Sequence, residues 1–245
     1  MRIDGRKVLV TGGTTGIGQA LVEKFLDLDC EVLSCARHAP VRPPALPRLH
    51  FLACDLATPT GRAQLVAEVQ ARHPDLSIVI NNAGVQHLVD FPTTPVPQIE
   101  LTSQDEIALN FQAPLLLCAA LLPLLQRQNS AAFVNITTGL ALAPKKSSPV
   151  YCATKAALRS FTRSFRYQVE SVSPQVRVVE ALPPLVATRM TAGRGSGKIA
   201  PADVADAIVA GLEADEDEIY IGKTRLLKVM ARVAPSVVYR VLKTW

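Results

Sequence analysis

Tyr151 and Lys155 stand four residues apart in Tyr151-Cys152-Ala153-Thr154-Lys155, a segment that opens a helical pattern. On a helix the two side chains lie one turn apart on the same face. A free phenol titrates near ~10, and an ammonium beside it favours the ionised form. Such a pair suits proton transfer near neutral pH. The same spacing also arises between ordinary solvated side chains, so the pair takes its meaning from its surroundings. Upstream, Phe133, Val134 and Ile136 form a short apolar run that reads as a buried strand. The run ends in Thr137-Thr138-Gly139, and a loop bearing Pro and Ser leads on to Tyr151.

A second informative set lies near the start. Lys7-Val8-Leu9-Val10 reads as a first strand. Thr11-Gly12-Gly13-Thr14-Thr15-Gly16-Ile17-Gly18 follows, then a helical pattern through Leu21, Val22, Phe25 and Leu26. Strand, glycine-rich turn and helix is the setting in which such glycines point to a bound nucleotide. Gly12 permits the tight turn, Gly16 lets the backbone approach a pyrophosphate, and Gly18 lets helix and strand pack closely. The helix start also offers free N–H groups and a positive dipole end to phosphate.

The elements that must position these residues alternate along the chain. Glu31 to Cys35, Phe51 to Cys54, Leu76 to Ile80, Val176 to Ala181 and Glu218 to Ile221 read as further strands. Residues 59–72 read as a helix with Leu65, Val66 and Val69 on one face. Val85 to Gln104, with Pro92, Pro95 and Pro97, reads as an irregular loop before a leucine-rich helix from Thr102 or Ser103 to about Gln126. His38 to His50 is too rich in proline for a helix and reads as an extended connection.

The GxxxGxG loop of Gly12, Gly16 and Gly18, then Asn81-Asn82-Ala83-Gly84, then Tyr151-xxx-Lys155, resemble in this order the short-chain dehydrogenase/reductase family. The resemblance covers nearly the whole chain, and residues 139–166 resemble the branch typified by an oxidoreductase of a D-alanylation operon. Together with the alternation of elements it predicts one doubly wound, Rossmann-type α/β domain. A parallel sheet has helices on both faces, and the site lies at the carboxyl ends of the strands.

The resemblance implies a nicotinamide cofactor held by Gly12, Thr14, Thr15, Gly16 and Ile17, by Asp55 and Leu56, and by Asn82, Ala83 and Gly84. Pro183-Pro184-Leu185-Val186-Ala187-Thr188 is similar to the family's PGxxxT, with Pro184 in place of Gly. Pro183, Val186 and Thr188 are thereby expected against the cofactor. Ala36 stands where NAD enzymes place an acid, and Arg37 after it suits the 2′-phosphate of NADP(H). Thr15 replaces the family's other frequent base, so selectivity rests on Arg37, with His38 or Arg42 in support. By the same resemblance Tyr151 donates the proton and Lys155 lowers its pKa and holds the nicotinamide ribose. Asn110 kinks its helix and relays protons through water. Thr138, thirteen residues before Tyr151, takes the place of the family's Ser and keeps the hydroxyl while narrowing the site.

Composition bounds the rest. The chain has 245 residues, 49% hydrophobic and 19% charged, which suits one globular domain. Its net charge of +5 is concentrated in residues 223–245, which carry six bases and no acid, leaving the body near neutral. That asymmetry argues against a general nucleic-acid face. The basic tail, with apolar residues at helical spacing broken at Pro235, reads as packed on the body or a second subunit, in preference to an acidic membrane surface with Trp245 at the interface. No consecutive apolar run reaches the ~18 residues of a membrane span. Five cysteines without CxxC spacing suit reduced thiols in a cytoplasmic protein. Four scattered histidines share no metal-ligand spacing.

Residues 1–222 are thus expected to form the catalytic domain, with a short glycine-bearing lid at about 189–200 and residues 223–245 as an extension of it. The expected activity is NADP(H)-dependent transfer of hydride between nicotinamide and a carbonyl or alcohol substrate, bulky or elongated if the short lid leaves the site open. A homodimer or homotetramer is expected, and the leucine-rich helix reads as core or, as the resemblance implies, a dimer interface. The alternative is an NADP(H)-binding regulator without turnover, for which the Ser-to-Thr change at Thr138 is the support.

Overall fold

Strands that are apolar on both faces must be covered on both faces, which favours a parallel sheet between helical layers. The structure, a computed structural model, describes residues 1–38 and 47–244. Among these, β1 (Lys7–Thr11), β2 (Glu31–Ala36), β3 (Leu49–Ala53), β4 (Ile78–Asn81), β5 (Ala131–Ile136), β6 (Val176–Leu182) and β7 (Glu218–Tyr220) form one sheet. Its order is β3-β2-β1-β4-β5-β6-β7, with every pair parallel. Expectations for residues 39–46, Arg42 among them, and for Trp245 fall outside the described residues.

Alternation along the strands assigns the two cores. Val8, Val10, Val32, Ile78 and Ile80 face α1 (Gly16–Asp27) and α6 (Pro201–Glu213), meeting Leu21, Phe25, Ile208 and Leu212. Leu9, Leu33, Val79 and Phe133 point the other way. They meet Leu65 of α2 (Pro59–Arg72), Leu117 and Leu121 of α4 (Ala113–Leu125), and Phe165 of α5 (Pro149–Val172). The chain winds outward in both directions from β1, which pairs with β2 on one side and β4 on the other. That reversal opens a crevice at the carboxyl ends of β1 and β4.

Two expectations need correction and one, the kink at Asn110, takes a definite form. First, the segment read as an irregular loop is helical from Val96: α3 spans Val96–Ile107 with Pro97 in its first turn. There the missing N–H costs nothing, because first-turn N–H groups have no intrahelical partner. Second, α3 runs through a π-helical turn, Ala108–Gln112, into α4. A regular α ladder would need Pro114 to donate an N–H to the carbonyl of Asn110, which proline cannot do. The π turn takes up that defect, with Ala113 N–H donating to the Ala108 carbonyl. Third, the continuous helix Val96–Leu125 is long and apolar enough, by length and composition, to cross a membrane. Counting only consecutive apolar residues hides this. The helix nevertheless buries Glu106 and Asn110, and its Leu117, Cys118 and Leu121 lie in the core.

The C-terminal segment forms α7 (Thr224–Val233) and α8 (Pro235–Leu242), broken at Ala234 with φ −137° and ψ 59°. Pro235 disfavours helical backbone in the residue before it. This hairpin packs on the body: Leu227, Met230, Val238 and Leu242 meet Leu140 and Ala143.

Candidate active site

The glycine loop after β1 does what its residue types permit. Gly12 and Gly16 take φ of +69° and +58°, which L side chains resist. A Cβ on Gly18 would lie 2.1 Å from the Gly12 carbonyl oxygen, so the loop closes on α1 only with glycine there. α1 begins at Gly16 and carries no acid in its first turn. Its unpaired N–H groups and positive dipole end are therefore available to an anion.

Thr11 joins this loop to the turn after β4. Its hydroxyl accepts from the N–H groups of Asn82 (2.9 Å) and Ala83 (3.0 Å). Asn82 Nδ2 donates back to the Thr11 carbonyl at 2.8 Å. The motif reading names Asn82 but gives Thr11 no role, since its partners lie some seventy residues away on an adjacent strand.

The Tyr151–Lys155 pair sits on the first turns of α5, above the end of β5. Tyr151 and Lys155 are both buried. Lys155 Nζ donates to the Ile136 carbonyl at 2.7 Å, which fixes the ammonium at the tip of β5. Burial alone lowers its pKa to about 8. The expectation of a depressed Tyr151 phenol does not hold for the protein by itself. Burial pushes the phenol well up, Cys152 and Glu106 add to the rise, and only Arg194 opposes it. The cause is desolvation of a phenolate at a buried position.

Thr138 lies at the end of β5, where its hydroxyl accepts from Leu140 N–H at 3.3 Å. As an acceptor in that bond, the hydroxyl keeps its own proton free to donate. Asn110, in the π turn, is fully buried. Its Oδ1 accepts from Val85 N–H, and its Nδ2 donates to the Val85 carbonyl, each at 2.9 Å. Gly84 stands between Asn110 and Lys155: a Cβ there would lie 3.1 Å from Asn110 Oδ1 and 3.7 Å from Lys155 Nζ.

One cavity of about 960 Å³ joins these groups. Gly12, Thr14, Thr15, Gly16 and Ile17 line one end with Arg37, Asp55 and Leu56. Asn82, Ala83 and Gly84 line it further along, and Pro183, Val186 and Thr188 close it from the loop after β6. Thr138, Tyr151 and Lys155 complete it. Of the residues singled out in the sequence, Asn110 lies behind the lining. The cavity also takes Leu140, Lys145, Leu185 and Met190, together with several residues of α7 and α8, none of which was singled out as a site residue in the sequence. All five cysteines are free and buried. Among the described residues no group of three His, Cys, Asp or Glu is placed to hold a metal ion.

Residues 6–198 match the model of the family described as short chain dehydrogenase. The chain is 41% identical over 191 residues to an uncharacterized oxidoreductase, DltE, of Bacillus subtilis (strain 168), covering 77% of this chain and 74% of that one. Its fold is similar to that of a short chain dehydrogenase from Burkholderia cenocepacia J2315 in complex with NADP. The TM-score is 0.88 and the identity 26%, with 99% of each chain covered. A short chain dehydrogenase/reductase from Burkholderia phymatum in complex with NAD shares the fold at TM-score 0.80 and 19% identity, covering 97% of this chain and 95% of that one.

Proposed function

The chain belongs to the short-chain dehydrogenase family of oxidoreductases, and from that premise we propose an NADP(H)-dependent carbonyl reductase or alcohol dehydrogenase in which Tyr151 handles the proton. The observation that carries the reading is the meeting, in one cavity, of Tyr151, Lys155 and Thr138 with the glycine cradle at the start of α1. Positive φ at Gly12 and Gly16 and an acid-free helix start fit a pyrophosphate. Arg37 lines the same cavity next to Ala36, where no carboxylate is present to repel a 2′-phosphate. The NADP found in the Burkholderia cenocepacia relative supports the same choice.

A bound nicotinamide cofactor supplies the hydride; the protein supplies orientation and proton transfer. Thr138 donates its free hydroxyl proton to the substrate oxygen, and Tyr151 gives its proton to that oxygen as negative charge develops on it. Burial keeps the Tyr151 phenol protonated but makes it a weaker acid, and Lys155, charged below about pH 8, is the group that would offset this by steadying the phenolate that remains. Asn110 fixes the Val85 backbone beside Gly84 and so shapes the path by which the proton is replaced. Alcohol oxidation runs the same path in reverse.

The test is NADPH consumption by the purified protein over a panel of aldehydes and ketones. Replacing Tyr151 by Phe should lower kcat by roughly 10²–10⁴-fold, the usual worth of a positioned acid, with NADPH binding retained. Tight NADPH binding without turnover of any panel member would count for the regulator instead.

A further inference from the structure

We infer that α7 and α8 form the substrate wall of this cavity, and that the substrates are carbonyl or alcohol compounds carrying a long unbranched apolar chain. This rests on the reductase reading and names the substrate class for it. The phosphate and ribose contacts account for one end of the cavity. The other end, past Thr138 and Tyr151, is lined by Leu226, Leu227 and Met230 of α7 and by Val237, Val238 and Val241 of α8. Among the described residues the one carboxylate lining the cavity is Asp55, beside Leu56 at the opposite end. Apart from Thr224, the side chains that α7 and α8 themselves turn to the cavity are apolar, so this wall gives the hydroxyls of a polyhydroxylated substrate little to pair with.

The hairpin is held at both ends. Thr224 Oγ1 donates to the Leu182 carbonyl at 2.8 Å at its start. Near its end the Leu242 carbonyl accepts from Lys146 N–H at 3.3 Å. Leu227 also reaches the residue after Thr138, since a Cβ on Gly139 would lie 3.0 Å from its Cδ2. The wall is therefore placed directly against the catalytic loop.

Two kinds of apolar residue make it. Leu227, Met230, Val238 and Leu242 are packed on the body. Leu226, Val237 and Val241 line the cavity yet remain 66%, 49% and 52% exposed. The fold leaves that apolar surface uncovered in a cavity continuous with Tyr151, and an apolar chain extending from the reacting carbon would cover it. From Val237 to Leu242 the α8 backbone advances ~8 Å at 1.5 Å per residue, which suits a chain rather than a single small group.

The test reads binding and turnover separately. Binding of butan-1-ol through decan-1-ol to the whole protein with NADPH, a dead-end pair that cannot react, is followed by calorimetry, and NADPH consumption is measured with the matching aldehydes. Affinity should rise about fourfold per methylene, the equivalent of burying one CH₂. Leu226→Asp and Val241→Asp, at exposed positions where folding should survive, should lose more affinity the longer the chain. Val233→Asp, 76% exposed and outside the cavity lining, should follow the wild type. Alcohol binding that does not change with chain length overturns the wall, whatever the enzyme turns over. Length-dependent binding without reduction of any aldehyde leaves the wall standing and counts against the reductase reading.

Discussion

At the scale of single residues, Lys155 carries the clearest electrostatic consequence. Its ammonium is buried at the tip of β5, and desolvation lowers its pKa from 10.5 to about 8. A charged group whose folded pKa is lowered costs stability wherever the folded state must still hold the proton. The cost is fully present below about pH 8, shrinks as pH rises from there towards 10.5, and is gone above it. Lys155→Met should therefore abolish turnover, yet at pH 7 it should melt no lower than the wild type. Its advantage should fade between pH 8 and 10.5; a melting point well below wild type at pH 7 would show that the bond to the Ile136 carbonyl outweighs the desolvation. Arg37 tests a different charge. If it meets a 2′-phosphate, Arg37→Glu places like charges together, and the KM for NADPH should rise roughly 10- to 100-fold, or about 1.4–2.8 kcal/mol. The KM for NADH should change little, and equal losses for both cofactors would remove Arg37 from the selectivity argument.

At the scale of elements, α5 must be held so that Tyr151 and Lys155 face the cavity. The same face carries Arg159 one turn further on, which ion-pairs with Glu180 of β6 and bonds the Tyr220 hydroxyl of β7 at 3.0 Å. Glu180 also accepts from Thr137 Oγ1 at 2.6 Å, the residue before Thr138. Burial raises the Glu180 carboxyl more than Arg159 and Thr137 pull it down. Such a pair fixes geometry more than it adds stability, but losing one member strands the other. Glu180→Ala should cost about 3–5 kcal/mol in chemical denaturation, and Glu180→Gln, which can still accept from Thr137, should cost less. Equal losses would mean that charge, not hydrogen bonding, holds α5. The strands and the glycine loop after β1 were legible in the sequence because each is local: apolar runs bounded by turns, and glycines at fixed spacing. The start of α3 was not, because three nearby prolines look like a loop until Pro97 is placed in a first turn. Pro114 did carry a readable signal for the π turn at Asn110. The apolar wall carried none, since Leu227 meets Gly139 only through tertiary packing.

At the scale of the whole molecule, two of the regions that leave apolar side chains exposed bear on what the protein meets. Part of α7 and α8 faces the cavity, which accounts for the exposure of Leu226, Val237 and Val241 without invoking a membrane. The second region lies on the far layer, where α4 packs beside α5 and Leu116 and Tyr167 stay 43% and 62% exposed. The helix that bears Leu116 meets the length and composition for a membrane span. It also buries Glu106 and Asn110 against the body, and it holds Asn110 behind the candidate site. Drawing it into lipid would dismantle that site, so a protein partner is the physically consistent cover. A second copy satisfies this through a self-complementary contact between equivalent helices. Light scattering on the purified protein should then give a mass above the 26.3 kDa of one chain. Leu116→Glu, at a position exposed enough to accept a charge without unfolding, should bring the mass down to that of one chain while NADPH binding persists. A wild-type mass of one chain would exclude a stable oligomer and leave this face for some other partner. An unchanged mass in the variant would move the interface away from α4.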